Sequence, residues 1–162
     1  MATRGMGRKE LARWTQQLVR TGMRFIAQDG ACPSTALVAV TGTPVSMEFP
    51  VTSEADRRLL RAYFEMAARG GAAACALVTE GWSLRGPRAF DRAAAARRRG
   101  GSLATLRGRG EQLVVHAVSP AGEVLRAFRI VRDAGRIALV VEPPTKDPGP
   151  WSRFLSDLPW AS

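Results

Sequence analysis

The sequence predicts an α+β fold: a single domain whose antiparallel sheet of five to six strands carries two helices packed on one face, in the order α-β-β-α-β-β-β-β. Three observations carry that expectation. Two stretches place apolar residues at three-to-four spacing, several short β-prone runs are separated by turn-forming residues, and residues 73–82 form an almost uninterrupted apolar run.

From residue 9 to 28, Leu11, Trp14, Leu18, Val19, Met23, Phe25 and Ile26 make one helical stripe. Asp29-Gly30 ends it, and Pro33 follows where a helix cannot continue. Residues 36–40 and 45–49 read as a hairpin through Thr41-Gly42. Pro44 has no amide to give a ladder, which places the second strand at an edge or delays its start. Ser53 opens a second helix, with Asp56 three residues on as a variant capping box. Leu59, Leu60, Tyr63, Phe64, Ala67 and Ala68 form its buried stripe, Arg57, Arg58, Arg61 and Glu65 its wet side, and Gly70-Gly71 its end. Residues 73–82, directly after two glycines, are too short for an independent helix and read as a central strand covered on both faces. Residues 112–119, 124–132 and 136–142 follow as an antiparallel meander, split by Pro120-Ala121-Gly122 and Asp133-Ala134-Gly135. The domain is expected to span residues 1–142 with a basic insertion at 85–110. Residues 143–162 then form a proline-rich tail, whose Trp151, Phe154, Leu155 and Leu158 suggest a short amphipathic segment docked on the body or on a partner.

At 162 residues the chain can bury a core without disulfides or metals. Its net charge of +10 is the unusual quantity, and it favours anionic partners. Only Lys9 and Lys146 are lysine, so the charge is nearly all arginine, which suits bidentate phosphate contacts. A codon bias toward arginine and alanine is the bland source of the same composition. Cys32 and Cys75 make neither a disulfide framework nor a CxxC pair. No apolar stretch approaches the roughly 20 residues of a membrane span, and MATRGMGRKE lacks the apolar centre of a secretory signal. The expectation is a cytoplasmic protein with no membrane attachment.

The tract 85–110, RGPRAFDRAAAARRRGGSLATLRGRG, concentrates the charge, with Asp91 as its only acid. Asp91 is expected to cap a short helix over 92–99, stopped by Gly100-Gly101, with arginines in its last turn favoured by the helix dipole. Arg88, Arg92, Arg97, Arg98, Arg99, Arg107 and Arg109 are the candidate nucleic-acid or polyanion contacts. Phe90 is the one aromatic in the tract, so binding there is phosphate-driven and salt-sensitive rather than built on stacking. The competing reading is a solvated loop.

Glu80, near the end of the buried run, and Glu111, at the start of the next strand, are candidate structural ion-pair members, with a loop arginine such as Arg109 as the expected partner. His116, the single histidine, alternates with Val114 and Val118 and reads as a hydrogen-bonded core residue. No GxSxG, phosphate-cradling loop or spaced ligand pair occurs, so no catalytic residue, metal or cofactor is expected.

Thr79-Glu80-Gly81-Trp82, Arg109-Gly110-Glu111 before LVVHAVS, and Ile130-Val131-Arg132-Asp133 together resemble a group of small uncharacterised bacterial and phage-borne α+β proteins. These share a strand-end Glu-x-Trp and a following Arg-x-Glu. The resemblance spans roughly residues 25–142, and this chain departs from it in a longer, more arginine-rich loop. It implies the fold and carries no activity. The element order also resembles roadblock-type and longin-type adaptor folds, an analogy of topology alone. The function expected is a non-enzymatic module contacting nucleic acid or another polyanion through the arginine-rich loop. The alternative is a protein-interaction module that forms a homo-oligomer through a sheet edge or the Trp-rich C-terminal tail.

Overall fold

The first helical stripe becomes α1 (Arg8–Asp29), stopped by Gly30, which sits left-handed at φ 78° and donates its N–H to the Ile26 carbonyl. The computed structural model describes residues 5–40, 43–51, 53–84, 88–99, 109–141 and 154–161. After α1 come β1 (Thr35–Val40), β2 (Thr43–Glu48), α2 (Glu54–Arg69), β3 (Ala74–Leu84), α3 (Ala89–Arg98), β4 (Arg109–Ser119), β5 (Gly122–Asp133) and β6 (Arg136–Val141). Six strands form one sheet in the order β2-β1-β3-β4-β5-β6, with every neighbouring pair antiparallel. The α+β class, the antiparallel sheet and its two principal helices agree with the sequence. β2 is an edge strand, as Pro44 requires.

One part of the expectation is corrected: α1 and α2 lie on opposite faces of the sheet. The pleat decides this, because successive side chains of a strand point to opposite sides. In β3, Ala74, Ala76 and Val78 join Leu37, Ala39, Leu113, Val115 and Ala117 beneath Leu11, Trp14, Leu18 and Ile26 of α1. Cys75 and Leu77 join Ala36 and Val38 beneath Leu60, Phe64 and Ala68 of α2. The uninterrupted apolar run is thus shared between two cores. α1 reaches across β3 to β6, whereas α2 rests on β1 and β3.

Gly22 sets the height of α1 above the sheet. A Cβ there would sit 3.1 Å from both methyl carbons of Leu113, so the missing side chain permits the close approach. α2 starts at the capping box read from the sequence. The Ser53 hydroxyl accepts from the Asp56 amide at 3.1 Å, and the Asp56 carboxylate accepts from the Ser53 amide at 2.9 Å. The buried stripe of α2 is narrower than expected, since Leu59 is 62% exposed.

Arg61, expected to be merely wet, is a clamp. Its Nη1 donates to the Phe154 and Ser156 carbonyls at 2.7 and 2.9 Å, while its Nε donates to Glu65 at 2.9 Å. The segment so held buries Leu155 and Leu158 in the α2-side core, and the Ala161 amide donates to the Ala68 carbonyl. This part of the tail therefore docks on the body.

Candidate cationic surface and the Arg132 anchor

Glu80 and Glu111 are brought together by a residue that sequence reasoning passed over. Arg132, near the end of β5, donates through Nε to Glu111 Oε2 at 2.6 Å and through Nη2 to the Gly30 carbonyl at 2.6 Å. Its Nη2 also lies 3.7 Å from Glu80 Oε1. The other Glu80 oxygen accepts from the Cys32 amide at 2.8 Å. One guanidinium thus ties β3, β4 and β5 to the end of α1, where a cation also favours the helix dipole. Among the described residues the partner is a strand arginine, where the sequence suggests one from the loop. Arg109 pairs through its backbone with Leu84, and its side chain lies outside the described residues.

His116 is 1% exposed, and its Nε2 lies 3.2 Å from Glu123 Oε2. The Ser156 hydroxyl donates to that same carboxylate oxygen at 2.9 Å. The carboxylate therefore stands between hydroxyl and imidazole, an order that leaves the serine unactivated by the histidine. Among the described residues, no three His, Cys, Asp or Glu side chains cluster so as to hold a metal ion. No described helix is long and apolar enough to cross a membrane.

Both cysteines are free thiols. Burial, with the Glu80 charge adding to it, raises Cys32 from 9.0 to about 11, and burial raises Cys75 from 9.0 to about 12. Above pH 9 the unfolded chain sheds thiol protons that the folded chain keeps, so stability falls as pH rises toward these values. Melting temperatures followed from neutral pH into this alkaline window are expected to decline, and Cys75→Ala is expected to flatten the decline.

Within the arginine-rich tract the described residues include α3, which begins at Ala89, earlier than the 92–99 expectation. Asp91 consequently lies in the first turn, where it favours the dipole, and is not the cap. Arg88 precedes the helix at φ 56°, with its carbonyl accepting from the Arg92 amide at 2.9 Å. Arg88, Arg98 and Arg99 are exposed and Arg92 is half-buried. Ala96, 4% exposed, anchors this otherwise marginal ten-residue helix, which contacts β3. The Arg97 side chain and all of Arg107 lie outside the described residues.

A second cationic surface lies on α1. Lys9, Arg13, Arg20 and Arg24 are all exposed. At 3.6 residues per turn they fall within an arc of about 60° and span about 22 Å of helix. Among the described residues none of the four has an ion-pair partner, and Glu10 is occupied by the Gly7 amide at 2.9 Å. Arg13 also lines a groove of about 470 Å³ with Trp14, Gln17, Ala39 and Pro44. The signal was present in the sequence as the polar side of the first helical stripe, where the charges are spread over sixteen positions rather than concentrated. Comparison with protein-family models, curated proteins and solved structures returned no match for this chain.

Proposed function

We propose that the protein is a non-enzymatic cytoplasmic module that binds nucleic acid or another dense polyanion against a cationic surface. The observation that carries this reading is the α1 stripe of Lys9, Arg13, Arg20 and Arg24 on a helix whose opposite side is used up by the core. A helix anchored in this way holds its charges at fixed spacing, which lowers the ordering cost of binding. The exposed Arg88, Arg98 and Arg99 of the α3 region add positive charge, with Arg92, Arg97, Arg107 and Arg109 as further candidates in the same tract. The stripe contains no aromatic residue, so recognition is electrostatic and blind to base identity.

Titration against short duplex and single-stranded DNA and RNA, at salt from about 50 to 200 mM, tests it. On duplex DNA each phosphate contact contributes a log–log slope of about −0.9, so engagement of all four α1 cations gives a slope near −4. The double variant Arg20→Ala/Arg24→Ala is expected to make the slope shallower by about 2. No binding at the lowest salt overturns the reading. A slope unmoved by that variant but reduced by Arg98→Ala/Arg99→Ala transfers the contact to the α3 tract.

A further inference from the structure

The two rims of the sheet are built differently. At β2, Val40 and Thr43 flank a two-residue connection and so form a hydrogen-bonded pair. Alternation then turns the backbone groups of Thr43, Val45 and Met47 toward β1 and those of Pro44, Ser46 and Glu48 outward. The outward row contains a proline without an amide and a carboxylate, two common devices for refusing another strand.

β6 has neither. Ala134 and Gly135, at φ 43° and 79°, form a two-residue turn with Asp133 opposite Arg136. Arg136, Ala138 and Val140 therefore spend their backbone groups on β5, and those of Ile137, Leu139 and Val141 face outward. The β4–β5 turn fixes the same phase independently. Ser119 and Gly122 flank two residues, which turns the even-numbered residues of β5 toward β4 and the odd-numbered ones toward β6. The outward row is apolar, with Ile137 37% and Val141 69% exposed.

We infer that β6 pairs antiparallel with β6 of a second copy, centred on Leu139, to give a two-fold homodimer with a sheet continuous through both. The stretch Ile-Ala-Leu-Val-Val at 137–141 is self-complementary in that register. Leu139 meets its own counterpart and Ile137 meets Val141, so apolar pairs with apolar along the seam. The hydrogen-bonding phase agrees, because the residues that meet in the 137–141 and 139–139 pairs all present outward amides and carbonyls. About six new backbone hydrogen bonds form. A two-fold axis perpendicular to the sheet keeps both α1 helices on one face. The second copy's strand then closes the open side of a cleft of about 360 Å³ that Met23, Ile26, Ile137 and Leu139 line together with Arg20 and Arg24. Those arginines gather near the seam from both copies, on a chain already at +10. Dimerisation therefore strengthens with added salt as repulsion is screened, opposite in sign to polyanion binding, and the two readings fail separately.

Sedimentation velocity on the full chain across a salt series is the primary test. The expected result is a species of twice the 17.5 kDa chain mass, favoured by salt. Val141→Pro removes an outward amide that β5 does not use, and is expected to yield a folded monomer. Val141→Lys, which keeps the whole β5–β6 ladder, is expected to do the same. The register is read by cysteine placement: Leu139→Cys faces itself at about 5.5 Å between Cα atoms, within disulfide reach, and is expected to cross-link under mild oxidation much faster than Ala138→Cys. A wild-type monomer at high protein and salt, dimers that persist in both Val141 variants, or equal cross-linking at 138 and 139 would each overturn the inference.

Discussion

Replacing Phe64 with alanine is expected to remove about 3–5 kcal/mol of stability, a large share of the roughly 5–15 kcal/mol that holds a domain of this kind together. Phe64 is fully buried on α2 and touches the Tyr63 ring at a centroid distance of 5.6 Å. Its core also contains Cys75 and Leu77 of β3, Ala36 of β1, and Leu155 and Leu158 of the C-terminal segment. Several neighbours are small, among them Ala36, Ala68 and Ala72, which have no side-chain reach with which to fill the vacated volume. The loss therefore falls toward the upper end of the range. Urea unfolding followed by circular dichroism measures it as a lower midpoint at unchanged slope. Faster proteolysis within residues 154–161 accompanies it, because that segment rests on the same core. A loss below about 1 kcal/mol would mean that α2 is not seated where Phe64 places it.

The second large effect is at Arg132. Arg132→Met keeps the stem and removes the charge, leaving Glu80 and Glu111 on one side of the sheet without their shared cation and depriving the Gly30 carbonyl of a donor. Fully buried pairs lose about 3–5 kcal/mol when one partner is deleted. Here the side chains are 37% exposed for Arg132, 21% for Glu80 and 25% for Glu111, so water recovers part of the loss. About 2 kcal/mol is expected. Adding Glu80→Gln and Glu111→Gln to Arg132→Met should recover a measurable fraction, since like charges then no longer face one another. If the triple variant is as unstable as the sum of its parts, the anchor is not a coupled unit.

The elements themselves were legible because each carried a local signal: the capping box at Ser53, the stop at Gly30, and turn residues before β5 and β6. The face on which each helix packs is a non-local property, yet the apolar run of β3 contained the answer. A strand with Ala74, Ala76 and Val78 on one side and Cys75 and Leu77 on the other requires cover twice, which two helices on one face cannot supply. The error at Leu59 came from drawing a helical stripe wider than the small contact that α2 makes with β1 and β3. Glu80 was identifiable as an acid in need of a partner, but Arg132 was not identifiable as that partner. The two are 52 positions apart, and only the β3–β4–β5 register brings them to one side of the sheet. The α1 cations were overlooked for the converse reason, because a periodic charge pattern is less conspicuous than the run Arg97-Arg98-Arg99.

Pro44 also bears on how far association can proceed. A ribbon grows without limit only when each unit offers an acceptor at both ends, so that every addition exposes a fresh one. Pro44 offers a tertiary amide with no N–H on the outward row of β2, so in the dimer inferred above neither unit keeps a border as receptive as β6. Growth past such a pair is then expected to stop, because Pro44 and the carboxylate of Glu48 leave the far border ill suited to a further strand and the assembly closed where a fibril would stay open.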